Sequence, residues 1–201
     1  MKRDFIIKAA VSLIVIAAAI FNIASFSAEC KNIRSDVLRL HVVADSDSES
    51  DQKLKLMVRD AVLEKGGELF NGSVTAQTAK SKITPRIAEL KETAEEVLRK
   101  NGCTNEVEIT VQEEFFNTRC YENFTMPAGV YTAVRVNIGS AQGQNWWCVM
   151  FPPLCLPAAS ADADAFFTED EMKVISASPQ YEPRFKIVEI METIKNKLNP
   201  E

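Results

Sequence analysis

The chain has 201 residues, 46% of them hydrophobic, enough for one domain of ordinary size with its own core once the N-terminal segment is set aside. Removing that segment through Phe26 takes Lys2, Arg3, Lys8 and Asp4 out of the count and leaves 20 basic against 27 acidic residues, a formal charge of about −7. Such a charge repels nucleic acid and anionic membrane, which disfavours both as partners of the remaining chain and leaves a protein partner as the natural expectation.

The N-terminus opens with Lys2, Arg3 and Lys8, then runs apolar from Ala9 to Ile20 and more loosely to Phe26. Residues 1–28 therefore read as a signal peptide or N-terminal membrane anchor outside the core, and residues 29–201 as a single α+β extracytoplasmic domain. A spanning helix needs about 20 mainly apolar residues. Phe5 to Phe26 reaches that length only by including Lys8, Ser12, Asn22 and Ser25, so cleavage (with a cut after Ser27) and retention both stay open. Glu29 stands where a lipid-attachment site takes a small residue, which argues against Cys30 as one. The membrane is expected to meet the chain only through this segment.

From Val37 to Val43, Leu38, Leu40 and Val42 alternate with Arg39 and His41, the period of a half-buried strand. Asp45 to Asp51 carries no apolar side chain and forms a polar turn, with Ser48 placed to cap a helix and Asp51 three residues on. The helix carries a core stripe of Leu54, Met57, Val58, Ala61 and Val62, keeps Lys53, Lys55, Arg59 and Asp60 mostly off it, and ends at Gly66-Gly67.

Residues 73–82 are weakly helical, and Thr84-Pro85 reads as a cap followed by proline at the first position of another helix. Its stripe is Ile87, Leu90, Ala94, Val97 and Leu98, and Asn101-Gly102 closes it. Val107 to Phe116 and Tyr131 to Ile138 are strands. The second is expected to form a β-hairpin with a central arm, Asn145 to Phe151, that holds both tryptophans and breaks at Pro152-Pro153. Residues 156–183 are less regular, and a last helix near Arg184 to Leu198 places Ile187, Ile190, Met191, Ile194 and Leu198 on one stripe. The fold class is α+β: helices packed on one side of a mixed or largely antiparallel sheet, preceded by the N-terminal signal or anchor helix.

The stretch Pro127 to Cys155, with LRLHVVADSDS and DQKLKLMVRDAVL before it, resembles the stage II sporulation protein R family from Val37 to at least Cys155. That resemblance implies a protein made in the forespore and exported to the space between the forespore and mother-cell membranes, secreted there or tethered by its N-terminal segment. It implies a non-enzymatic signal that activates a membrane-embedded aspartic protease of the mother cell, which removes the pro-segment of the mother-cell sigma factor (sigma-E). It also implies Asn rather than Asp45 in many relatives.

No cofactor or metal is called for. Asp45, Asp47, Glu49 and Asp51 have the oxygen spacing that opens a calcium loop, but Ser50 and Leu56 replace the glycine and glutamate that complete it, so solvated acids and a helix cap explain them better. His41, the only histidine, and one of five cysteines could in principle serve a cysteine hydrolase of the cell envelope. Its place inside a strand favours a partly buried structural histidine instead. Trp146 and Trp147 point to opposite faces of their strand, and an exposed one would be an anchor for a partner. Cys148 and Cys155 can bridge if Pro152-Pro153 turns the chain back, and stay thiols if the strand runs straight. The partner-binding candidates are Asp45, Ser46, Asp47, Ser48 and Glu49 in the polar turn, with Trp146 and Trp147 as the second choice. Neutralising Asp45, Asp47 and Glu49 is expected to spare folding and to weaken sigma-factor processing.

Overall fold

A computed structural model describes residues 2–70, 75–121, 124–154, 166–176 and 183–198. Its contacts group the chain into two compact units, one of residues 34–116 and 130–168, the other of residues 1–33, 117–129 and 169–201.

The first unit holds a four-stranded sheet of β1 (Leu38–Val43), β2 (Val107–Phe116), β5 (Gly129–Ile138) and β6 (Asn145–Phe151), in the order β2-β5-β1-β6. β1 runs parallel to β5, with Arg39 opposite Ala133 and His41 opposite Arg135, and antiparallel to β6, with His41 opposite Trp147 and Val42 opposite Trp146. Glu108 meets Asn137 and Glu113 meets Thr132, so β2 and β5 run in opposite directions. The sheet is mixed and the fold is α+β.

Three helices cover one face: α2 (Glu49–Leu69), α3 (Ala76–Ile83) and α4 (Ile87–Lys100). Leu38, Leu40 and Val42 of β1, Val134 and Val136 of β5 and Met150 of β6 form one core with Val58 and Val62 of α2, Ile83 of α3 and Leu90 and Leu98 of α4. Each such side chain, taken fully out of water, contributes about 1.5 to 3 kcal/mol before entropy is counted. Local sequence sets the helix ends as read at two places. Ser48 caps α2 by accepting from Asp51 N at 3.1 Å, and Gly102, at φ +75°, follows the last turn of α4.

Five expectations are corrected. β5 and β6 are not a hairpin, because β1 lies between them, and β6 is an edge strand rather than a central one. Gly66-Gly67 does not end α2, which continues to Leu69, since Gly66 is buried where a β-carbon would meet Met150. Met57 is exposed while Lys55 is buried, because the face of α2 turned to the sheet is shifted from the one read in the sequence. Thr84 donates back to Lys80 O instead of capping, and Pro85 sits in a short 3-10 turn before α4. The stripe of the last helix, Ile187, Ile190, Met191, Ile194 and Leu198, lies on one face as read and is exposed.

The second unit contains α1 (Lys2–Asp36, its last three residues falling in the first unit), the ribbon β3 (Arg119–Cys120) with β4 (Thr125–Met126), α5 (Glu169–Ile175) and α6 (Pro183–Leu198). α1 is long and apolar enough to cross a membrane. It does not stop at residue 28, and Phe26, Cys30 and Ile33 are buried. Phe26 meets Phe185 of α6 edge to face at 5.1 Å between ring centres, and Arg184 lies over the Phe26 ring while donating to Asn22 at 3.3 Å. β3, β4 and α5 had no counterpart in the sequence reading.

Candidate functional site

The polar turn between β1 and α2 is built into the fold. Its residues take up the connection Gly139 to Gln144, which passes over the end of β1 on its way from β5 to β6. Asp45 Oδ1 accepts from Ser140 N at 2.6 Å and Ser140 Oγ at 2.8 Å, and Oδ2 accepts from Asn105 Nδ2 at 2.9 Å. Asp47 Oδ1 accepts from Gln144 N at 2.8 Å, while Gly143 N donates to Ala44 O at 2.9 Å and Gln142 N to Asp45 O at 3.1 Å. Ser46 Oγ donates to Asp51 Oδ2, and its carbonyl accepts from Gln52 Nε2 at 2.8 Å. Beneath them the buried Lys55 donates to Gln144 O at 3.1 Å and Gln52 Oε1 at 2.6 Å.

Two charges are perturbed as a result. The Ser140 backbone amide, then its hydroxyl and Asn105, hold the Asp45 carboxyl below its ordinary value. Burial, followed by repulsion from Arg59, lowers the Lys55 ammonium. Because the folded pKa of Asp45 is depressed, its contribution to stability is complete above the unfolded value of about 3.9 and is lost as pH falls through the folded one. Thermal stability should therefore fall below about pH 4 more steeply in the native chain than in Asp45→Asn. Asp45→Ala should cost about 2 to 3 kcal/mol at neutral pH, and Asp45→Asn, which keeps an acceptor for Ser140, clearly less.

Four of the five turn candidates thus have structural work. Asp45 and Asp47 clasp the connection, Ser46 holds Asp51 and Ser48 caps α2, so neutralising the acids cannot leave stability untouched. Glu49 differs: among the described residues its exposed carboxylate pairs only with Lys53, one helical turn on, at 2.7 Å.

On the sheet face away from α2 to α4, His41 is 4% exposed. Its Nδ1 lies 2.7 Å from Glu114 Oε1 and its Nε2 2.7 Å from Asn145 Oδ1. Its ring stacks on Trp147 at 5.4 Å, and Glu114 also accepts from Arg135 Nη1 at 3.1 Å. Beside it Arg39 is fully buried, its guanidinium 4.5 Å from the Phe116 ring centre and 4.9 Å from that of Tyr131, with Nε donating to Cys148 O at 3.0 Å. Glu114, Asn145 and Arg135 are the partners the sequence reading missed. The available signal was strand parity, since Arg39 and His41 share one face of β1 as Glu114 and Phe116 share one face of β2.

Trp146 also has free surface. It is 37% exposed on the opposite side of β6 from Trp147, with Arg59 4.4 Å above its ring centre. Cys148 is disulfide-bonded, Cys103 and Cys120 are free, and Cys30 is a buried thiol outside any disulfide. Cys155, the other half of the bridge considered from sequence, lies outside the described residues.

A family model described as Stage II sporulation protein R (spore_II_R) matches residues 34–161. The Stage II sporulation protein R of Bacillus subtilis (strain 168) is 36% identical over 123 residues, 61% of this chain and 55% of that protein. The chain thus spans about half the length of the curated relative it matches. No solved structure matches it. With the family model covering well over half of its length, including the clasped turn, the whole sheet and both tryptophans, the chain belongs to the stage II sporulation protein R family.

Proposed function

We propose that this chain, whose family gives it a role in sporulation, is an exported signal: leaving the forespore, it activates a membrane-embedded aspartic protease of the mother cell, which then processes the pro-form of the mother-cell sigma factor. The observation that carries the reading is the family match over residues 34–161. The apolar α1 supports export, since its length and composition suit a signal or an anchor. The contact surface is assigned to Trp146, backed by Arg59, with Glu49 as a second contact; aromatic and arginine side chains dominate interface energetics.

The competing reading, an envelope cysteine hydrolase, needs His41 free to take a proton from a thiol. Both of its ring nitrogens are instead held by Glu114 and Asn145. Sporulating cells carrying variants as the only copy separate the two. Cys103→Ala and Cys120→Ala should process sigma factor normally. Trp146→Ala should process it at least about tenfold less while losing only about 1 to 2 kcal/mol of stability. Loss of processing in a single folded cysteine variant would favour the enzyme.

A further inference from the structure

We propose that α6 is an interfacial helix that lies on the membrane crossed by α1, with Ile187, Ile190, Met191, Ile194 and Leu198 set among the acyl chains. The inference rests on the reading of α1 as a retained anchor. It begins from an exposed apolar face on a helix that is otherwise well packed. α6 packs through Phe185 and Val188, both about 2% exposed or less, whereas Ile190, Met191 and Ile194 are each at least 50% exposed and Leu198 is 74% exposed. At about 100° per residue these side chains fall on the face opposite Phe185 and Val188.

The charges around that face select the occupant. On the same helical projection Lys186 and Lys197 border it on one side and Arg184 and Lys195 on the other, while Glu189 and Glu192 fall on the packed side with Val188. Lys186 pairs with Glu189 at 2.8 Å and Arg184 is held by Asn22, which leaves Lys195 and Lys197, one on each margin, as the bases suited to a headgroup layer: their cationic heads can reach lipid phosphates while their alkyl stems lie over apolar surface. With four bases and two acids, α6 is locally positive in a chain whose net formal charge is −5. A soluble protein docking on the stripe would give no reason for bases on both margins.

Position supplies the second argument. The exposed apolar side chains of α1 run from Phe5 to Phe21, about 25 Å of helix, close to the thickness of a hydrocarbon core. α6 meets α1 in the very next turn, where Arg184 bonds Asn22 and Phe185 packs on Phe26. A helix that starts where a span leaves the bilayer starts at headgroup level.

The test uses the full chain in nanodiscs of phosphatidylethanolamine and phosphatidylglycerol. A polarity-sensitive fluorescent amino acid is placed at position 194 or, separately, at position 14. Quenching by nitroxide-labelled lipid is compared with quenching by aqueous iodide. The proposal predicts that nitroxide lipid lowers emission at least about twofold at both positions and that iodide has little effect at either. Lipid quenching at 14 with iodide quenching at 194 would overturn the proposal and leave the anchor standing. Iodide quenching at both would overturn the anchor as well. A position 194 shielded from both quenchers would mean that protein covers the stripe, which also overturns it.

Discussion

Replacing Gly143 by alanine is expected to cost about 3 kcal/mol of folding stability, at the upper end of what forced overpacking costs, and to lower the melting temperature by about 6 to 12 °C. Gly143 sits where the connection from β5 to β6 crosses the end of β1. A β-carbon there would run into the carbonyl of Ser46 and come within 2.9 Å of the Ala44 side chain. The Ser46 atoms are backbone, held by Gln52, and cannot swing aside as a side-chain tip would. Relieving the clash means lifting the connection off the strand end, which also strains the bond from Gly143 N to Ala44 O. Gly67 is the control. Nothing lies within 4 Å of a β-carbon at that position, which is inside α2, so Gly67→Ala should be neutral or stabilising by up to about 1 kcal/mol. Equal melting temperatures for the two variants would remove the clasp from this account.

Arg39→Ala should be at least as damaging, about 3 kcal/mol or more. It leaves a cavity in the middle of a sheet face, takes a cation from between the Phe116 and Tyr131 rings, and deprives Cys148 O of its donor. Arg39→Met keeps most of the volume and should recover part of the loss, since a well-packed apolar side chain can replace a buried charge at modest cost. Denaturant unfolding of the two variants separates packing from charge. Equal stability of Arg39→Ala and the native chain would show that the guanidinium contributes nothing net.

The same residues show where sequence reading stopped. Alternation in β1 places Leu38, Leu40 and Val42 in the core, and they are there. Arg39 and His41 occupied the intervening positions, and period alone reads such positions as the wetter face. Their burial depends on Phe116, Glu114, Tyr131 and Asn145, all more than 70 positions away, which no local pattern contains. Ser48 and Gly102 were legible because capping is a local matter of a few residues. The hairpin misreading is equally physical. Neighbouring strands usually pair, yet Gly139 to Gln144 is six residues long, beyond the usual hairpin loop, and that length is what carries it across β1. The polar turn was legible as a special stretch, but its density of aspartate and serine serves the clasp and the cap. The stripe of α6 was legible as a stripe, while periodicity alone cannot say what covers it.

In the function proposed above, the folded chain acts as a signal from outside the forespore cytoplasm. The most direct measurement is the ratio of mature to pro-form sigma factor in sporulating cells whose only copy of the protein is either the native chain or one lacking residues 2–26. The account predicts mature sigma factor with the native chain and only the pro-form with the truncated chain present in equal amount. Equal processing by the two would contradict it.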